Sequence, residues 1–131
     1  MVGLNTNVLV CFLVRDDQAQ FERARRLIKR EADAGDPVFV SLVVLAETEW
    51  VLRSRYKLAK KEILSTFSKL LSSVDIAFED ESSIEEALYI WKDSPAEFTD
   101  CLIGARHRAC GCRATASFDT DALKLASFVP V

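Results

Sequence analysis

The sequence predicts an α/β protein: a three-layer α/β/α sandwich with a mostly parallel central sheet of four to five strands, built as a single domain over residues 1–131. Three observations carry this. Short apolar, β-favouring runs alternate with helix-periodic segments along the whole length, the pattern of parallel strands joined by crossover helices. A chain of 131 residues is long enough for one hydrophobic core and too short for two. Half the residues are hydrophobic and 28% are charged, a balance that excludes a disordered chain.

Taken in order, Val2-Gly3-Leu4 reads as a short buried strand, Asn5-Thr6-Asn7 as a turn, and the apolar run to Val14 as a buried helix. Asn5 or Thr6 is well suited to cap that helix. Gln18 to Ala34 has helical periodicity, with Phe21, Ala24, Leu27 and Ile28 on one face, and Gly35-Asp36-Pro37 ends it. Val38 to Val40 is the second strand, and Ser41 caps a helix whose Val43, Ala46, Trp50 and Val51 are expected to share a buried face with Glu47. Tyr56 to Ala59 is a connection before a helix over Lys60 to Leu71, and Val74 to Phe78 is the third strand.

Ser82 followed by Glu85 has the form of a capping box, opening a helix through Trp91. Ser94-Pro95-Ala96-Glu97 is a second such signature, with Pro at the first helical position. The helix it opens, to about Cys110, is apolar nearly all round and is expected to be buried, with Asp100 embedded in it. Gly111 suits its carboxyl cap. Arg113 to Phe118 is the fourth strand, ending at Asp119; Asp121 to Ala126 is a short helix; Phe128 to Val131 is an edge strand, where Pro130 is tolerated.

Four polar positions stand out: Asn5 after the first strand, Glu47 in the helix after the second, Asp100 inside an apolar helix, and Asp119 at the end of the fourth strand. Strand ends of an open α/β sheet are where ligands bind. Buried carboxylates that converge repel one another unless cations join them, and such oxygen-rich clusters suit Mg²⁺ or Mn²⁺. The chemistry favoured is metal-assisted hydrolysis of a phosphodiester. Glu97 is better explained as the capping-box residue than as a ligand.

The totals exclude other classes. Cys110-Gly111-Cys112 has no second Cys or His pair to complete a zinc site, His107 being the only histidine, and reduced thiols are expected for all four cysteines. No apolar run approaches the ~20 residues that cross a bilayer. The amino terminus lacks a basic segment ahead of an apolar stretch, so a cytoplasmic protein is expected. Net charge is −3, not the balance of an overall basic nucleic-acid binder. Basic residues nevertheless cluster at Arg15 to Arg30, Arg53 to Lys61 and Arg106 to Arg113, as solvated helix faces or as a patch for phosphate or an acidic partner.

With Gly3-Leu4-Asn5-Thr6-Asn7-Val8-Leu9-Val10, Ala46-Glu47, Phe98-Thr99-Asp100-Cys101-Leu102-Ile103 and Thr115-Ala116-Ser117-Phe118-Asp119 in this order, the chain resembles the PIN-domain family, and within it the VapC-type toxins of bacterial toxin-antitoxin pairs. The resemblance spans the whole chain. It implies a ribonuclease whose Glu47, Asp100 and Asp119 hold Mg²⁺ or Mn²⁺ together with an acid at position 5. It further implies Thr6 as a nearby hydroxyl, Asp121 as an outer-shell acid, a homodimer, and neutralisation by a cognate antitoxin.

One position departs from the family. Residue 5 is Asn where the family has Asp, replacing an anionic oxygen by a neutral amide of nearly the same shape. Geometry is expected to survive while metal affinity and cleavage fall. The alternative is a non-catalytic PIN-like module that binds RNA or a protein partner.

Overall fold

The structure, a computed structural model, describes all 131 residues and divides into two compact units, Met1–Glu79 and Asp80–Val131. The first unit runs α1 (Thr6–Val14), α2 (Gln18–Asp33), β1 (Val38–Val40), α3 (Leu42–Ser54), α4 (Lys60–Leu71) and β2 (Ile76–Phe78). Strand β1 pairs with β2 in parallel, Val38 opposite Ile76 and Val40 opposite Phe78. On its other side β1 meets the first segment: Gly3 bridges Phe39 in parallel, through Phe39 N–H to the Val2 carbonyl at 2.8 Å and Leu4 N–H to the Phe39 carbonyl at 2.9 Å. The predicted first strand is thus a single bridge, because the turn to α1 follows at once. Its buried centre is aliphatic and aromatic, with Leu9, Val38, Val40, Leu52, Ile63 and Phe67 almost wholly sealed from solvent.

The second unit contains α5 (Glu81–Lys92), α6 (Phe98–Ala109), β3 (Thr115–Ser117), a 3₁₀ turn (Ala122–Lys124) and β4 (Phe128–Pro130). Strands β3 and β4 are parallel, with Thr115 opposite Phe128 and Ser117 opposite Pro130. Pro130 sits in the last pair, where a missing N–H is tolerated. Helices α5 and α6 pack together through Trp91 and Phe98, ring centroids 5.3 Å apart at 60°. All strand pairing is parallel, as the α/β prediction requires, and hydrogen bonds join the strands in one set within each unit.

Helix α3 is rolled from its expected orientation. Its buried residues are Leu45, Thr48, Glu49 and Leu52, a spacing of three, one and three, whereas Val43 and Trp50 are exposed and Glu47 faces solvent. Two apolar stripes compete on this helix. The winner buries Leu45 and Leu52 at the expense of a carboxylate, which Arg53 partly offsets: its Nε donates to Glu49 Oε2 at 2.9 Å. Glu49 Oε1 and Thr48 Oγ1 remain buried without hydrogen-bond partners.

Two start signals also resolve differently. The cap of α5 is Asp80, not Ser82: its Oδ1 accepts from Ser83 N–H at 3.3 Å and its Oδ2 from the Ser83 hydroxyl at 2.6 Å. Ser94 does not open α6; its hydroxyl accepts from Ala96 N–H at 3.0 Å in a local turn, and the helix begins at Phe98 with Glu97 at the cap position and no side-chain cap bond. A preceding Pro favours such a turn as readily as a helix start. Helix α6 is also not buried all round, because Ile103, Arg106, His107 and Ala109 are exposed. Gly111, at φ 92°, follows the helix as predicted and supplies the left-handed residue that ends it.

Asp80 gives a pH-dependent contribution. The Ser83 hydroxyl, then the Ser83 N–H and the Arg106 guanidinium at 2.8 Å, hold its carboxyl below its ordinary value of 3.8. A group with a depressed folded pKa stabilises fully above its unfolded value and loses that contribution as pH falls through the folded pKa. Asp80 also occupies left-handed backbone at φ 52°. Asp80→Ala is therefore expected to cost about 2 kcal/mol at neutral pH through cap and backbone together. In urea melts at successive pH values, the charge-dependent part should vanish in strong acid.

Candidate active site

In the first unit, Asn5 caps α1, its Oδ1 accepting from Thr6 N–H at 2.7 Å. Thr6 follows as the first helical residue and is buried, with no partner for its Oγ1. Glu47 projects from α3 to the same place: Asn5, Thr6 and Glu47 line one cleft of about 540 Å³. Asn7, Asp16, Asp17, Gln20, Arg55 and Tyr56 complete its polar wall. The Tyr56 hydroxyl donates to Asp16 Oδ2 at 3.1 Å, a bond that pushes the phenol's pKa up. Cys11, at the back of the cleft, is buried, and desolvation keeps its thiol protonated and unreactive.

In the second unit, Asp100 lies in the first turn of α6 and Asp119 just beyond β3. Asp100 is half-buried, and its pKa is raised by that burial, then by the negative charges of Asp119 and Glu97. Asp119 Oδ1 accepts from Asp121 N–H at 2.8 Å and Ala122 N–H at 3.0 Å, so it caps the 3₁₀ turn and is held in orientation. Asp121 turns its own carboxylate to Lys124 at 3.3 Å; its contact with Asp119 is through the main chain. Glu97 takes no part in a capping box, and its charge acts on Asp100, so it belongs with the acids.

The structure therefore brings the predicted positions together as two pairs, Asn5 with Glu47 and Asp100 with Asp119. No group of three or more His, Cys, Asp or Glu side chains stands close enough together to hold a metal ion. The donor set nonetheless fits a hard divalent cation: it is all oxygen, and Asp100, whose pKa is raised first by its burial, also feels the negative charges of Asp119 and Glu97. Mg²⁺ in particular takes a few carboxylates and keeps several waters, so a closed cage is not required.

Sequence reasoning missed the lining residues Asp16, Asp17, Arg55 and Tyr56, which follow helix ends and carry no motif. It also missed the buried carboxylate of Glu49. Part of the basic clusters belongs to neither a freely solvated face nor an open patch. Arg106 and Arg108 pair with Asp80 and Glu86, each at 2.8 Å, and tie α6 to α5 and its cap. No helix is long and apolar enough to cross a membrane.

Comparison with family models agrees with the PIN-domain resemblance read from the sequence. The family model described as PIN domain matches residues 3–127. No curated protein matches the chain. Among solved structures, one match is VapC20 of Mycobacterium tuberculosis, a toxin that cleaves the sarcin-ricin loop; it is 24% identical over 98% of this chain and 97% of that one, with a TM-score of 0.43.

Proposed function

The chain belongs to the PIN-domain family, a family of nucleases, and on that footing we propose that it is a metal-dependent endoribonuclease of the VapC toxin type, impaired by Asn5. The single observation that carries this is the pairing of the four motif positions. Asn5 shares a cleft with Glu47, and Asp100 feels the charge of Asp119.

In this reading the residues that would hold Mg²⁺ or Mn²⁺ are Glu47, Asp100 and Asp119, with the Asn5 amide oxygen. When bound, the ion supplies Lewis-acid stabilisation of the charge that develops on the phosphate oxygens during hydrolysis. The protein's part is positioning. Asp119 is fixed by the N–H groups of Asp121 and Ala122, so one carboxylate oxygen is committed and the other is oriented. Asn5 is fixed by its own cap bond, and Thr6 places a hydroxyl beside it. Asp121 acts as an outer residue through its main chain. The proposed assembly is one domain over residues 1–131, acting in the cytoplasm as a homodimer on RNA and neutralised by a cognate antitoxin.

Asn5 also favours a second reading, a PIN-like module that binds RNA or a protein without cutting. The two part in one experiment. Total RNA is incubated with Mg²⁺ or Mn²⁺ and the present chain, Asn5→Asp, or Asn5→Asp combined with Asp100→Asn. The nuclease reading expects cleavage by Asn5→Asp alone, stopped by a chelator. Intact RNA in every lane, with all chains folded, supports the binding module.

A further inference from the structure

Helix α2 divides its basic residues between two faces. On one, Arg25 pairs with Glu22 at 3.1 Å and Lys29 with Asp33 at 3.3 Å, the ordinary arrangement of a solvated helix. On the other, Arg23, Arg26 and Arg30 stand at spacings of three and four along a second cleft of about 610 Å³. Arg23 and Arg26 form no ion pair, and Arg30 has only a 3.7 Å contact with its neighbour Glu31. Like charges at these spacings destabilise a helix by a few tenths of a kcal/mol per pair, so the stripe works against the fold unless an anion occupies it.

The cleft's neighbourhood identifies the anion. Asn7, Cys11 and Gln20 line both this cleft and the one holding Asn5 and Glu47, so the two adjoin. The first carries three carboxylates, Asp16, Asp17 and Glu47, against the one guanidinium of Arg55; the second carries three guanidiniums and no carboxylate. This asymmetry is built on a chain that is acidic overall, with a pI of about 5.2. We propose that the α2 cleft binds successive phosphates of a single RNA strand beside the candidate active site, an inference that rests on the nuclease reading for its ligand class.

Arginine suits this because its planar fork meets phosphate oxygens in pairs. From residue 23 to residue 30 the helix rises about 10.5 Å, enough for the three guanidiniums to meet successive phosphates of one strand. RNA is favoured over an acidic peptide by what lies between its charges. Sugar and base edges can be met by the amides of Asn5, Asn7 and Gln20 as the strand passes into the carboxylate-lined cleft.

The test is fluorescence anisotropy of a labelled single-stranded RNA of about 12 nucleotides and mixed sequence. It is titrated with the full chain in a chelator at salt from roughly 50 to 300 mM. Three proteins are compared: the present chain, the triple variant Arg23→Gln, Arg26→Gln, Arg30→Gln, and a control with the same charge change at exposed sites elsewhere, Lys61→Gln, Lys69→Gln, Lys92→Gln. At low salt the cleft variant should bind roughly 10- to 100-fold more weakly, and its log–log salt slope should be shallower by about 2, at ~0.7 per lost phosphate contact. Each single Arg→Gln variant should lower the slope by ~0.7, and the control should stay within about twofold of the parent.

An unchanged slope in the folded cleft variant, an equal loss in the control, or no RNA binding by the parent would overturn the proposal. So would a cleft variant that keeps RNA but loses a polyglutamate peptide, which would assign the cleft to an acidic protein. Binding is read without cleavage, so the outcomes separate. RNA cut by Asn5→Asp with an unaffected cleft variant rejects only the track; RNA uncut but lost by the cleft variant rejects only the nuclease.

Discussion

Asn5→Asp is expected to raise the single-turnover rate of RNA cleavage in Mg²⁺ or Mn²⁺ on the order of 10²- to 10³-fold. The substitution changes an amide nitrogen into a carboxylate oxygen and almost nothing else. An interaction aimed at charge in the transition state is worth roughly 3–4 kcal/mol in a water-poor site, and each 1.36 kcal/mol is tenfold in rate. The fold should not change, because Asp caps helices as well as Asn does and its charge complements the helix amino terminus. The Thr6 N–H bond at 2.7 Å survives with either side chain. A melting temperature equal to or slightly above that of the present chain, measured on the same sample, separates a gain in chemistry from a gain in folding. Equal rates for the two chains would mean that position 5 plays no part in the chemistry.

Arg53→Ala is expected to destabilise the chain by about 3 kcal/mol in urea denaturation, at the lower end for breaking a buried ion pair because Arg53 is itself 40% exposed on its side chain. Glu49 is fully buried, its Oε2 held by Arg53 at 2.9 Å and its Oε1 without a partner. Removing the guanidinium leaves the carboxylate with neither water nor counter-charge. Replacing the carboxylate acts in the opposite sense. Glu49→Leu combined with Arg53→Ala should recover most of the loss, since an apolar residue of similar size suits the site between Leu45 and Leu52. A loss below about 1 kcal/mol for Arg53→Ala would show that the pair behaves like an exposed one.

These two residues also mark how far the sequence could be read. Helix α4 is found with its predicted bounds, because Ile63, Phe67 and Leu70 form one unambiguous stripe. Helix α3 contains two stripes of comparable apolarity, and only the packing against α1 and α4 decides between them. That choice exposes Trp50 and buries Glu49, the reverse of the pattern-based expectation. Caps were misplaced for a local reason: Ser, Asp and Pro near Asp80 and Ser94 serve turns and helix starts alike, and backbone angles select among them. The strand at Val38–Val40 is found with its predicted bounds, whereas the others were located but overextended, because propensity runs past the few residues that hydrogen-bond.

The candidate positions Asn5, Glu47, Asp100 and Asp119, which the structure sets in two pairs, were legible in the sequence from motif order. The cleft walls were not, because Asp16, Arg55 and Tyr56 reach the site from loops and a helix end. The basic clusters show the same limit. A sequence counts charges without their partners, so the paired Arg106 and Arg108 look no different from Arg23 and Arg26.

The most direct test of the proposed active site is a Mn²⁺ titration of Asn5→Asp followed by electron paramagnetic resonance, repeated with Glu47→Gln, with Asp119→Asn and with both. The four-position site predicts one Mn²⁺ per chain. It also predicts a loss of at least about tenfold in affinity for each single change, and a double change that costs clearly less than the sum of the two, because the first has already removed the shared ion. Independent, additive losses, or full affinity after Glu47→Gln, would contradict it.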